Sequence, residues 1–462
     1  MKYHKIVYEI RYFLYDKKNY ILKIFLIKII YLWFSVLRHV FYGEIKKDYY
    51  QAISSLLRYE RDITSLDGSQ MCSSIYWRFY TRFISKHIAK QNQILKSYVN
   101  STEANQYRKQ FQGFGLYNLL RIRYPKKDED WSRQGELLVL KPYIHKKEKG
   151  VLLINYDQGV KKLASIYDIE QLANFYRFVV EPSTCDYQNP MFFLCLGLKT
   201  EVIFQAQYKP DFDYIERIGH NFFPIRLGAG DWTNTDLFSP SPDTKKKYDL
   251  VMIANWLKWK RHELLFESLA KIKTRINRIA LVGYPIDGAM IEDIKAEGKR
   301  YGVQEISDYF ERIPHEEVLQ IVQKSKMGIL LSKEEGANRG IYECFFSNVP
   351  VILTDQNRGV NRDHINSHTG ILAKDTDLSG AILHMLDKYH KYNPREWALK
   401  NTGYLNSSKK LNNFIKRIAI ENGEVWTQDI FTKHNSPHAR YAIMEEQKKA
   451  DDAFRHLEQF VR

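Results

Sequence analysis

Two glutamates eight positions apart, Glu335 and Glu343, flank a turn that carries Gly336, Ala337, Asn338, Arg339 and Gly340. An apolar run at residues 327–331 leads into the turn and reads as a buried strand. A short helix bearing Glu343 and Cys344 follows, and a second apolar strand leaves at 349–353. A strand that ends in a glycine-bearing turn and opens a helix offers unpaired backbone N–H groups to an anion. Carboxylates accept hydrogen bonds from hydroxyls. The combination suits a ligand with both phosphates and sugars. Glu343 sits among Ile341, Cys344, Phe345 and Phe346, and a carboxylate in such company needs a polar partner.

The elements that must position these groups come in two alternating series. The first begins at residue 137, with β-type runs at 137–140, 151–155, 178–180, 191–196 and 202–204 and a helical stretch at 169–176. The second has predicted strands at 249–254, 278–282, 327–331 and 349–353. Predicted helices lie between and after them at 262–272, 291–301, 317–323 and 378–389. Such alternation implies open, largely parallel sheets with helices on both faces. Ligands on such sheets bind beyond the carboxyl ends of the strands. Asp157 follows a strand and is a candidate for orienting an acceptor hydroxyl, or else a turn or cap residue.

The pair Glu335 and Glu343 resembles the Glu-x7-Glu motif of retaining GT-B glycosyltransferases of the GT4 family. Residues 231–240 resemble the segment that closes the first domain of those enzymes, and the resemblance spans about residues 225–375. It implies an α/β GT-B fold, with two doubly wound Rossmann-like domains facing a cleft. It places a nucleotide-sugar donor of UDP or GDP type in that cleft as substrate, with no separate cofactor. Glu335 would contact donor-sugar hydroxyls and Glu343 the ribose, with Gly336, Ala337, Asn338 and Gly340 at the sugar and phosphates. The backbone at Ile313 would meet the base. Family members commonly carry a glycine–arginine pair after the first strand of the second domain and a lysine five residues further on. Ala254 and Asn255 stand in place of that pair, and Lys260 keeps the lysine. Breaking a sugar–diphosphate bond develops negative charge on the leaving phosphate, which a fixed cation stabilises. Lys260 is the candidate for that role, Arg339 for the missing second charge, and Asn255 and Arg261 for further donor contacts. No Asp-x-Asp pair suited to a metal stands at a strand end and no nucleophile is evident, which fits metal-free, front-face transfer.

The 462 residues exceed one core, and the composition is globular. Four cysteines without C-x-x-C spacing argue against a zinc or disulfide framework and for a reduced, cytoplasmic setting. Of the net charge of +16, residues 1–100 hold +10, with 17 Lys/Arg against 7 Asp/Glu. A basic arm seeks a polyanion. Residues 20–42 are the most apolar stretch, and Lys23, Lys28, Ser35, Arg38 and His39 fall on one half of a helical wheel. That pattern fits a helix lying in an anionic membrane interface, with a core helix or a span as alternatives. Lys28 near the centre counts against a span, at roughly 3 kcal/mol.

The organisation read from the sequence has four parts. Residues 1–130 form a helical, basic and aromatic extension, 131–240 an acceptor domain and 241–400 a nucleotide-sugar domain. Residues 401–462 form C-terminal helices that cross back to the acceptor domain. The function read from it is a retaining glycosyltransferase of polysaccharide biosynthesis, peripheral at the cytoplasmic membrane face, acting on a glycan or lipid-linked acceptor. The alternatives are a non-catalytic GT-B-like scaffold, prompted by Asn255, and a nucleic-acid-directed glycosyltransferase, prompted by charge alone.

Overall fold

The computed structural model of the protein describes residues 48–54, 57, 88–111, 136–185, 187–241, 244–336, 338–435 and 439–462. The apolar segment 20–42 and Ala337 lie outside the described residues. Among the described residues no helix is long and apolar enough to cross a membrane.

The chain divides into two compact units. The smaller comprises residues 1–112, 164–166 and 188–198. In it the helix Gln93–Val99 buries Ile94, Leu95 and Tyr98. The Tyr98 hydroxyl lies 3.2 Å from Ser165 Oγ. The apolar run at 191–196, expected as a strand, is instead a 3-10 helix, Pro190–Cys195. Asn189 caps it by accepting from the Met191 N–H, and Pro190 sits in its first turn, where the missing N–H costs nothing.

The larger unit holds two large sheets and a two-stranded antiparallel ribbon, Lys433–Asn435 with Ala439–Tyr441. In the first, the order is β1 (Leu137–Lys141), β2 (Gly150–Asn155), β3 (Tyr176–Glu181), β4 (Val202–Gln205) and β5 (Phe222–Ile225). β2 to β5 are parallel and β1 is an antiparallel edge. Only Ile169–Leu172 of the helical stretch expected at 169–176 is helix, because Tyr176 already begins β3. One face of this sheet, Leu138, Leu140, Val151, Leu153, Val179 and Ile203, packs on Leu411, Ile415 and Ile418 of the helix Tyr404–Glu421. These three helical residues recur at the i, i+4, i+7 spacing of one helix face. Each fully buried Leu or Ile contributes about 1.5–3 kcal/mol.

The second sheet is fully parallel. It contains β6 (Tyr248–Ile253), β7 (Ile279–Gly283), β8 (Ser307–Glu311), β9 (Ser325–Leu330), β10 (Val351–Thr354) and β11 (Gly370–Ala373). Its spatial order is β11-β10-β9-β6-β7-β8. The chain winds outward from β6 in one direction, then returns to the other side of it at β9. The order therefore reverses between β6 and β9, and their carboxyl ends open a crevice where backbone groups are unpaired. β8 and β11 escaped the sequence reading. Both are partly buried edge strands: SDYFE is broken by polar residues, and GILA is apolar but only four residues long.

Candidate active site

The crevice between β6 and β9 is a cavity of about 410 Å³. Its wall brings together Asn255, Lys260, Ile313, Glu335, Asn338, Arg339, Gly340 and Glu343 from the candidate residues named above. They arrive from separate segments: the β6 carboxyl end, the start of the helix His315–Gln323, and the turn between β9 and the helix Gly340–Phe346.

Lys260 closes a 3-10 turn, Lys258–Lys260, and its Nζ donates to Glu335 Oε1 at 2.6 Å. Both side chains are buried, at 7% and 5% exposure. Ser332 Oγ donates to the same carboxylate oxygen. Burial pulls the Lys260 pKa below the usual lysine value, and the Glu335 charge opposes that pull. The Lys260 ammonium also lies 3.8 Å from the centre of the Trp259 ring, a cation–π contact. His262, two residues on, is buried. Burial, and secondarily the Lys260 charge, drives its pKa down to about 4.

Glu343 lies in the first turn of the helix Gly340–Phe346 and is also buried. Its Oε1 stands 3.2 Å from His315 Nε2. The polar partner that its apolar neighbours require is thus His315, which the sequence reading missed. The local sequence did hold a signal: Pro314 fixes the entry to the helix His315–Gln323, and His315, its first residue, lines the cavity. Asn338 Oδ1 accepts from the Ile341 N–H at 3.2 Å, tying the turn to the start of its helix. Arg339 is the residue just before that helix and makes no ion pair among the described residues.

The remaining candidates fall elsewhere. Arg261 donates to the Leu331 carbonyl at 3.0 Å and is ion-paired with Asp375, so its guanidinium is engaged behind the cavity wall. Gly336 does not line the cavity. An added Cβ there would meet the Ser183 carbonyl oxygen at 1.9 Å, so glycine is required for the close approach of the β3 loop. Asp157 opens the helix Asp157–Ile166, and its Oδ1 accepts from the Gln158 N–H at 2.8 Å. It too lies outside the cavity. Besides His315, the sequence reading missed Tyr284 on the wall and Gln207, whose Nε2 donates to the Gly336 carbonyl at 3.2 Å.

Two α/β sheets, the second with its ligand crevice at the strand-order reversal, make a GT-B architecture. Residues 234–404 match the family Glycosyl transferases group 1, and this part of the chain is a group 1 (GT4) glycosyltransferase domain. The enzyme class is that of retaining, metal-independent transferases that take sugar from a nucleotide-sugar donor. No curated protein sequence matches the chain. Among solved structures, it is similar to sucrose-phosphate synthase from Thermosynechococcus elongatus, at 16% identity over 59% of this chain and 74% of that one, with a TM-score of 0.47. It is similar to Anabaena HepE in complex with UDP, at 15% identity over 57% and 78%, with a TM-score of 0.47. A glycosyltransferase from Rickettsia africae aligns at 18% identity over 58% and 77%, with a TM-score of 0.46.

Proposed function

We propose that this chain transfers a sugar, with retention, from a UDP- or GDP-linked donor to a glycan or lipid-linked acceptor. The observation that carries the reading is the presence of two cations and two carboxylates, Lys260, Arg339, Glu335 and Glu343, on the wall of one cavity at the strand-order reversal. Lys260 and Arg339 take the diphosphate, and their charges are worth more as the leaving group gains negative charge. Asn255 adds a neutral donor where the family commonly has arginine. Glu335 orients donor-sugar hydroxyls. Its Oε1 already accepts from Lys260 and Ser332, which fits a positioned hydrogen-bond acceptor and disfavours a free nucleophile. Glu343, held by His315, takes the ribose hydroxyls, and the Ile313 backbone meets the base.

In this scheme residues 131–240 serve the acceptor and 241–400 the donor, while 401–462 brace the first sheet. Residues 1–130 hold the enzyme at an anionic membrane surface from the cytoplasmic side, in preference to nucleic acid; retention on anionic vesicles against DNA separates the two. Release of UDP or GDP from a panel of nucleotide sugars in the presence of acceptor tests the reaction. A protein that binds nucleotide sugar yet never releases nucleotide is a scaffold. Deletion of residues 1–45 should abolish flotation with anionic vesicles and leave nucleotide affinity intact.

A further inference from the structure

Gln207 follows the carboxyl end of β4, just before the helix Lys209–Ile218, and is buried at 4% exposure. From the first sheet its amide reaches segments of the second. Nε2 donates to the Gly336 carbonyl at 3.2 Å and to the Gly359 carbonyl. An amide nitrogen carries two hydrogens, so each carbonyl takes one. The two carbonyls belong to different segments, the turn after β9 and the loop after β10. Gln207 Oε1 is buried and accepts nothing among the described residues. The Gly228 backbone leaves it no room, since a Cβ there would lie 2.2 Å from that oxygen. Turning the amide over would set its oxygen against two carbonyl oxygens and strand three acceptors instead of one. The orientation is therefore fixed, with the donors toward Gly336 and Gly359.

These two carbonyls bracket the Glu335 backbone. Gly336 follows Glu335 in the chain. Gly359 follows Arg358, whose carbonyl accepts from the Glu335 N–H at 2.9 Å and whose N–H donates to the Lys333 carbonyl at 2.7 Å. Gly359, at φ 99°, packs so closely that a Cβ would meet the Glu335 carbonyl oxygen at 1.6 Å. Asn357 Nδ2 ties the same loop to the Ser332 carbonyl at 2.7 Å. Glu335 thus stands between two backbone segments that lie against each other, and Gln207 joins both. The residues assigned to the nucleotide, Asn255, Ile313 and Glu343, come from the second sheet, and Gln207 makes no hydrogen bond to them among the described residues. A neutral amide suits the place. A lysine or arginine also donates to two carbonyls, but it would add a second cation beside the buried Lys260–Glu335 pair.

We propose that Gln207 is a positioning residue of the transfer step: its amide holds the backbone on both sides of Glu335 and so sets where that carboxylate meets the donor sugar. The proposal rests on the glycosyltransferase reading above. Misplacing a group by about 1 Å can cost roughly 10²-fold in rate. The test uses the full chain with UDP, GDP, UDP-glucose, UDP-N-acetylglucosamine and GDP-mannose. Calorimetry gives affinities, and nucleotide release gives turnover. Gln207→Met keeps the bulk and removes the donors. It should bind UDP or GDP within about twofold of wild type and lose about tenfold or more in turnover. The ratio of nucleotide-sugar to diphosphate affinity should shift against the sugar by about threefold or more. Arg226→Met removes a different contact between segments of the two sheets, to Asn361 and Asp363, and should cost less than about threefold in turnover. Gln207→Glu sets a carboxylate against the two carbonyls at neutral pH and regains one O–H donor when protonated. Its turnover relative to wild type should therefore rise as pH falls from about 8 to about 5.5. Wild-type turnover in Gln207→Met overturns the proposal. So does an equal loss in Arg226→Met, which would make Gln207 one of several sheet-to-sheet contacts, and so does diphosphate affinity that falls in step with turnover. Should Gln207→Met fail to fold, Gln207→Glu carries the test, and a turnover ratio flat with pH overturns the proposal. If wild type binds UDP or GDP yet turns over none of the three nucleotide sugars, the glycosyltransferase reading falls, and the affinity ratio still scores Gln207.

Discussion

Lys260 Nζ and Glu335 Oε1 meet at 2.6 Å, both buried, across 75 residues of chain. Each offsets the desolvation of the other, so neither is free to be removed alone. Losing one partner of such a pair costs about 3–5 kcal/mol, because the other is left as an uncompensated buried charge. A donor diphosphate arriving beside Lys260 competes with Glu335 for the ammonium, and donor hydroxyls compete with Lys260 for the carboxylate. The pair thus holds the cation and the acceptor group in place for the two parts of one ligand.

The carboxylates should separate by phenotype. Glu343→Gln should weaken nucleoside diphosphate binding by roughly 1–3 kcal/mol, since a charge-assisted hydrogen bond is lost. Glu335→Gln keeps a side-chain oxygen facing Lys260, so it should depress turnover, by about 10²-fold, more than it changes that affinity. Calorimetry with UDP and GDP, set beside initial rates, reads both. Equal diphosphate affinity in wild type and Glu343→Gln would remove Glu343 from the nucleotide site.

The cations should act together. Arg339→Ala should cut kcat/KM about 10²-fold, as for a lost transition-state charge. Asn255→Arg, which restores the residue common in the family, should recover part of that loss. Lys260→Met combined with Glu335→Gln avoids a stranded buried charge, and it should fold while losing activity. Normal kcat/KM in Arg339→Ala would show that the diphosphate is held without it.

Much of the second half of the chain was legible because each buried strand is a continuous apolar run and the glycine-bearing turn sits at a strand end. The Glu335-to-Glu343 spacing was readable for the same reason, since strand, turn and helix fix where both carboxylates stand. What the sequence concealed was mostly long-range. The His315–Glu343 contact joins residues 28 apart: Pro314 marks where the His315 helix begins, but neither segment shows that the two side chains meet. The Lys260–Glu335 pairing needs the β6 and β9 ends to be neighbours, which follows from strand order and not from either segment. The run at 191–196 was misread because a short apolar stretch fits a strand or a helix equally. Pro190 and its Asn189 cap decided for the helix.

Activity should fall at alkaline pH earlier than an ordinary lysine would impose. Burial lowers the Lys260 pKa from the usual lysine value, with Glu335 opposing. The protonated form carries the charge on the leaving phosphate, so kcat/KM should be full below that lowered pKa and decline as pH rises through it. A pH–rate profile measures the limb, and Lys260→Arg, which stays charged, should push it to higher pH. An alkaline limb unmoved in a Lys260→Arg enzyme that retains measurable activity would assign it to another group.

Stability should carry an acid limb from His262. Its ring is buried beside Trp256, with neither nitrogen hydrogen-bonded among the described residues, and its pKa is about 4 in the folded chain. The unfolded chain has it near 6.5, so between these values the unfolded state binds more protons and stability rises with pH. The contribution is therefore fully present above about pH 6.5 and is lost as pH falls through about 4. Its size is on the order of 3 kcal/mol from the difference in pKa. His262→Leu keeps an apolar side chain of similar bulk against Trp256 and removes the titration. Tm measured from pH 4 to 7 should fall with acid more steeply in wild type than in the variant. Parallel curves for the two proteins would show that His262 is protonated without cost in the folded state, and that the acid sensitivity resides in other groups.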